Sequence, residues 1–118
     1  MPKRTVLIVE NDGIISLDIK TLLKSNDYEP IIVRSAKDLL NRYRKEKPDL
    51  IIADLNLGKE STEDALKEIN NIDSTPIIIV SGSPRSRLVE LTGNLSHSVY
   101  LPKPFDKMEL LDLIKKYL

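Results

Sequence analysis

Four places along the chain end a short apolar run in a residue able to bind or react. Glu10, Asn11 and Asp12 follow Val6 to Val9, Asp54 follows Leu50 to Ala53, Ser81 follows Ile77 to Val80, and Lys103 stands just beyond Val99 to Leu101 in the stretch YLPKPF. The set comprises carboxylates, an amide, a hydroxyl and an ammonium. Carboxylate oxygens gathered at one point repel unless a cation joins them, and magnesium, typically held by one or two carboxylates with water or phosphate completing its shell, suits such a group.

Whether these residues meet depends on the elements that carry them. The apolar runs are short and nearly unbroken, the pattern of strands buried on both faces of a parallel sheet. Between them lie segments with helical spacing: Ile15, Ile19, Leu22 and Leu23, then Ala36, Leu39, Leu40 and Tyr43, then Ala65, Ile69 and Ile72. A fourth, near Arg85 to Leu95, carries only the thin stripe Leu88, Leu91 and Leu95 and is interrupted by Gly93, so this helix is expected to be short or mobile. A final helix carries Leu110, Leu111, Ile114 and Leu118. Ser35, Ser61 and Ser83 are expected helix caps, Pro84 suits a first helical position, and Asp106 with Glu109 has capping-box spacing.

Alternation of strand and helix throughout the chain predicts an α/β fold, a flavodoxin-like (βα)5 domain whose five-stranded parallel sheet runs in the order 2-1-3-4-5 with helices on both faces. Ligands of such open sheets bind beyond the carboxyl ends of the strands, and this order brings Glu10 and Asn11 beside Asp54 at the switch point. Taken singly, each residue has a plainer reading. Asp12 reads first as a helix cap, and Lys103 as a solvated surface lysine. Asp54 stands too far ahead of the helix expected near Ser61 to be its cap. The joint placement of the four groups at strand ends is what points to a site.

Composition narrows the classes of function. The 118 residues suit one domain, 1–118, with no separate output module. Lysine plus arginine and aspartate plus glutamate number 18 each, so no net field draws the chain to nucleic acid or an anionic membrane. There is no cysteine, hence no thiolate chemistry. The basic start MPKR leads into an apolar run far shorter than that of a signal peptide, and a cytoplasmic location is expected. A nucleotide or flavin enzyme on the same fold would want a glycine-rich cradle after the first strand, where this chain has ENDGII.

The four motifs VLIVEND, PDLIIADLNLG, TPIIIVSGS and YLPKPF together resemble the receiver domain of two-component response regulators, over essentially the whole chain. The resemblance implies that Asp54 accepts a phosphoryl group from a histidine kinase or phosphotransfer protein. It also implies that Glu10, Asn11, Asp54 and the backbone carbonyl of Asn56 hold Mg2+, and that Lys103 pairs with the phosphoryl oxygens. Ser81 becomes the switch hydroxyl, Tyr100 the aromatic residue that changes rotamer with it, and the Lys103–Pro104 bond is expected to be cis. Asn56 and Ser83 would flank the route of a hydrolysing water. Such a protein is no enzyme in the ordinary sense, catalysing at most its own phosphorylation and dephosphorylation, and it signals to a downstream protein as a monomer or weak homodimer.

One position departs from the family pattern. The second residue of its acidic pair falls on Asn11, an amide, which is expected to weaken Mg2+ binding. Three readings stay open: Glu10 and Asp54 suffice, Asp12 supplies the missing carboxylate, or the domain is a degenerate pseudo-receiver acting as a phosphorylation-independent interaction module. Retention of Asp54, Ser81 and Lys103 favours the first. Arg85 and Arg87 follow the switch strand as either solvated charges or partner contacts, and His97 falls in a loop with no assigned role.

Overall fold

The computed structural model describes residues 3–55 and 62–118. Along the chain run β1 (Arg4–Val9), α1 (Gly13–Ser25), β2 (Tyr28–Val33), α2 (Ala36–Glu46), β3 (Leu50–Asp54), α3 (Thr62–Ile72), β4 (Ile77–Ser81), α4 (Arg85–Gly93), β5 (Ser98–Pro102) and α5 (Lys107–Tyr117). The five strands form one sheet in the order β2-β1-β3-β4-β5, and all neighbouring pairs are parallel. The expected architecture is therefore the observed one.

Burial on both faces explains the unbroken apolar runs. Leu7, Val9, Ile51, Ala53, Ile77 and Ile79 face a core shared with α2, α3 and α4. Their neighbours Val6, Ile8, Leu50, Ile52, Ile78 and Val80 face a second core under α1 and α5. Successive side chains alternate between the two. Leaving any strand half solvated would expose part of this apolar surface, at roughly 25 cal/mol for each Å².

The helices differ from expectation in local detail. Ser35 caps α2 by accepting from the Asp38 amide, and Asp106 caps α5 by accepting from the Met108 amide. Ser83 does not cap α4: the N-cap is Pro84, which also shifts that proline one position ahead of its expected place, and no side chain caps this end. The Ser83 hydroxyl is engaged with Ser81 instead. The α3 stripe is completed by buried Leu66, whereas Ile72 is 56% exposed, because the helix ends there and leaves its last turn beyond the sheet. The cap expected at Ser61 lies outside the described residues. The α4 helix stops at Gly93, yet Leu95 beyond it is buried with Leu88 and Leu91. His97 takes a left-handed φ of 56° in the turn before β5. Among the described residues no helix is long and apolar enough to cross a membrane.

Candidate functional site

Strand register brings the chemistry together. Val9 pairs with Ala53, and Asp54 with Val80, so Glu10 and Asp54 each come one step further along adjacent strands. The Glu10 amide extends the ladder by donating to the Val33 carbonyl at 3.1 Å. Both acids are buried, with exposures of 2% and 3%.

One cation serves both. Lys103 Nζ lies 3.1 Å from Asp54 Oδ2 and 3.4 Å from Glu10 Oε2. The Lys103 amide donates to the Ser81 carbonyl at 2.9 Å, and the Lys103–Pro104 bond is cis, as expected. The lysine is thus anchored where β5 ends beside β4, with its ammonium reaching across to β3 and β1. It is not a solvated surface charge.

Among the described residues, the two buried carboxylates share one ammonium, which gathers negative charge in a buried place. Burial pushes the Glu10 carboxyl above its ordinary range, and the neighbouring charge of Asp54 pushes it the same way. The Asp12 amide, donating to Glu10 Oε1 at 3.1 Å, and the charge of Lys103 work in the opposite direction. Mg2+ asks for one or two carboxylates among oxygen donors. The negative charge and the oxygen-rich donor set of Glu10, Asp54 and the Asn11 amide carbonyl fit such an ion.

Asp12 takes the role of a cap. Its Oδ1 accepts from the amides of Ile14 at 2.8 Å and Ile15 at 3.1 Å, closing the first turn of α1. Asn11 is exposed between the two acids. Among the described residues there is no cluster of three or more acidic, histidine or cysteine side chains able to hold a metal. Asn56 lies outside the described residues.

Ser81 is fully buried at the end of β4. Its hydroxyl donates to Ser83 Oγ at 2.9 Å and accepts from the Ser83 amide at 3.0 Å. Tyr100 pairs with Ile79 across β4 and β5 and packs half-buried against the core under α4. The alternation of β4 puts Ser81 on that same side.

Two features were missed by sequence reasoning. Arg87, at the start of α4, forms an ion pair with Glu63 at the start of α3, and Lys67 reaches the same glutamate at 3.3 Å. Nothing in the sequence marks that pairing, which needs the two helices side by side. The Ser81–Ser83 bond did have a signal, since serine bonding to backbone two residues on is a common local turn. Arg85 is exposed. An apolar cleft of about 390 Å³ opens between α1 and α5, lined by Ile15, Ile19, Leu22, Phe105 and Leu110 with Lys103 in its wall. On the same helices Ile14, Leu17 and Met108 are exposed.

Comparison with known proteins agrees with this fold. Residues 6–115 match the family model of the response regulator receiver domain. The chain is 31% identical over 115 residues to the transcriptional regulatory protein PdtaR of Mycobacterium tuberculosis, covering 95% of this chain and 55% of that protein. It is 28% identical to the polar-differentiation response regulator DivK of Brucella anthropi, covering 100% of this chain and 98% of that one. The chain therefore spans about half the length of the first relative and nearly all of the second. Among solved structures, the signal receiver domain of a LuxO repressor protein from Vibrio parahaemolyticus superposes with a TM-score of 0.89 at 28% identity, covering 98% of this chain and 89% of that one.

Proposed function

The chain belongs to the response regulator receiver domain family, and from that premise we propose that Asp54 is its phosphoacceptor. The observation that carries the proposal is the single ammonium of Lys103 bonded to two buried carboxylates, Asp54 and Glu10, at the carboxyl end of the sheet.

The phosphodonor is a phosphohistidine on a kinase or phosphotransfer protein. An Asp54 carboxylate oxygen attacks phosphorus, the P–N bond breaks, and the imidazole nitrogen keeps the electron pair and takes a proton from solvent. Hydrolysis of the aspartyl phosphate later returns the carboxylate and inorganic phosphate. Lys103 accompanies the charge as it moves from carboxylate to phosphoryl oxygens. Glu10, Asn11 and Asp54, with the Asn56 carbonyl, are the residues that would hold Mg2+, which would supply positive charge to the phosphoryl oxygens. Exposed Ile14 and Leu17 on α1 favour a protein phosphodonor, since apolar side chains beside a charged site suit a docked surface.

Output follows from the added charge. A phosphoryl group brings acceptor oxygens to Asp54 and attracts the Ser81 hydroxyl, biasing the loop before α4 and, through the shared core, Tyr100. A downstream protein reads that surface.

Intact mass after acetyl phosphate treatment, across a Mg2+ titration and with Asp54→Asn alongside, tests the reading. One magnesium-dependent phosphoryl adduct, absent from the variant, is expected. No adduct at any Mg2+ level, in a folded protein, would refute it and leave a phosphorylation-independent interaction module.

A further inference from the structure

A hydroxyl has one proton to donate, and in Ser81 that proton is already committed. Ser81 Oγ donates to Ser83 Oγ at 2.9 Å while the Ser83 amide donates back to it at 3.0 Å. Ser81 is fully buried, so an unpartnered hydroxyl there is costly and the bond to Ser83 is its satisfaction. The Ser81 backbone is tied separately, through its carbonyl, to the Lys103 amide. Rotation of the side chain can therefore exchange partners while the strand end stays in place. The start of α4 makes no claim on Ser83, because Pro84 is the N-cap and no side chain caps it.

We propose that Ser83 is a positioning residue, a latch that competes with the phosphoryl group for the Ser81 proton and so weights the domain toward its resting arrangement. This rests on the reading of Asp54 as phosphoacceptor. To bond a phosphoryl oxygen, Ser81 must give up Ser83, and the energy of that bond is subtracted from the stabilisation of the phosphorylated state. Ser83→Ala removes the competing acceptor and keeps the backbone amide. The resting arrangement then holds a buried donor without its partner, and the population shifts toward the arrangement in which Ser81 faces the phosphoryl group.

The test is an equilibrium titration of the full chain with beryllofluoride, an acyl-phosphate mimic, in the presence of Mg2+. Loss of one neutral hydrogen bond from the resting state predicts binding about two- to tenfold tighter for Ser83→Ala. Ser83→Thr, which restores a hydroxyl, should return the affinity to the wild-type value. The gain should vanish on a Ser81→Ala background, since no proton is left to compete for. Unchanged or weaker binding by folded Ser83→Ala, or a gain that persists without Ser81, overturns the latch. A change confined to the hydrolysis rate of the phosphorylated protein, with mimic affinity untouched, also overturns it, because it would put Ser83 on the water's route. Failure of the underlying reading looks different: wild-type protein would then show no binding that Asp54→Asn abolishes, and the latch would fall with it.

Discussion

Replacing Lys103 by methionine removes the cation shared by Glu10 and Asp54 while keeping most of the apolar stem. With Nζ at 3.1 Å and 3.4 Å from the two carboxylates, each contact carries about 5 kcal/mol of attraction at an effective dielectric of about 20. That figure is a ceiling, since the lysine side chain is 22% exposed and retains part of its hydration. Breaking a fully buried pair costs about 3–5 kcal/mol, and discounting for exposure leaves an expected loss of about 2–4 kcal/mol at neutral pH without metal. The pH dependence gives the sign a second check. The Glu10 carboxyl lies above its ordinary value of 4.5, through burial first and the charge of Asp54 among the further causes. A carboxyl raised in the folded state contributes stability that is present below its unfolded value and lost as pH rises through the folded one. Removing Lys103 raises Glu10 further, so the gap between variant and wild type should be small in acid and widen as pH climbs past the ordinary value of 4.5. Urea unfolding of both proteins in chelator, over a pH series, measures this. A loss under about 0.5 kcal/mol, the range of ordinary surface substitutions, would refute the argument. So would a gap that does not change with pH. Millimolar Mg2+ should restore more stability to the variant than it adds to wild type, because it supplies the missing positive charge.

Three further outcomes are expected. Asn11→Asp should tighten Mg2+ binding about tenfold, worth about 1.4 kcal/mol, and should be less stable than wild type without metal but more stable with it, so that the two curves cross in a Mg2+ titration of stability. Asp12→Ala should cost about 1 kcal/mol through loss of the α1 cap with the Mg2+ midpoint of phosphorylation unmoved; a large rise in that midpoint would make Asp12 a ligand. Ile14→Asp, at a position 77% exposed, should slow phosphotransfer from a phosphohistidine protein about tenfold or more while leaving acetyl phosphate labelling unchanged, since a buried charge at a docking face is costly only when a partner covers it; equal effects on both donors would remove α1 from the docking face.

The sheet was legible because burial on both faces leaves an unmistakable trace: strands such as Leu50 to Ala53 and Ile77 to Val80 are apolar at every position. Strand ends then followed from a topological rule, and Glu10, Asp54 and Lys103 meet where that rule puts them. What escaped was decided by competition between partners of similar strength. Ser83 had the residue type of a cap and lay where one was expected, but the hydroxyl of Ser81, two residues back, took it. Ile72 continued the α3 spacing, yet Leu66 lies on the side that meets the sheet and is buried instead. Arg87 meets Glu63 only because α3 and α4 lie side by side over one face, a relation between positions 24 residues apart that no local pattern encodes. Spacing constrains which face a residue shares; it does not choose among partners on that face.

The same competition explains how an amide can sit at position 11. Among the described residues Glu10 and Asp54 share one ammonium, and the Glu10 carboxyl is raised, by burial first and by the charge of Asp54 among the further causes. A carboxylate at position 11 would add a third charge to the same end of the sheet. The repulsion it brings to the metal-free fold and the attraction it offers to Mg2+ arise from the same charge, so neither can be gained without the other. Asn11 is exposed, where solvent screens charge and the metal-free cost of an acid is modest, about 0.5 kcal/mol. A bound divalent ion in direct contact is screened far less and would gain more from that acid. The crossing of stability curves for Asn11→Asp follows from this inequality. If the variant were more stable at every Mg2+ level, or less stable at every one, position 11 would act through something other than its charge on the site.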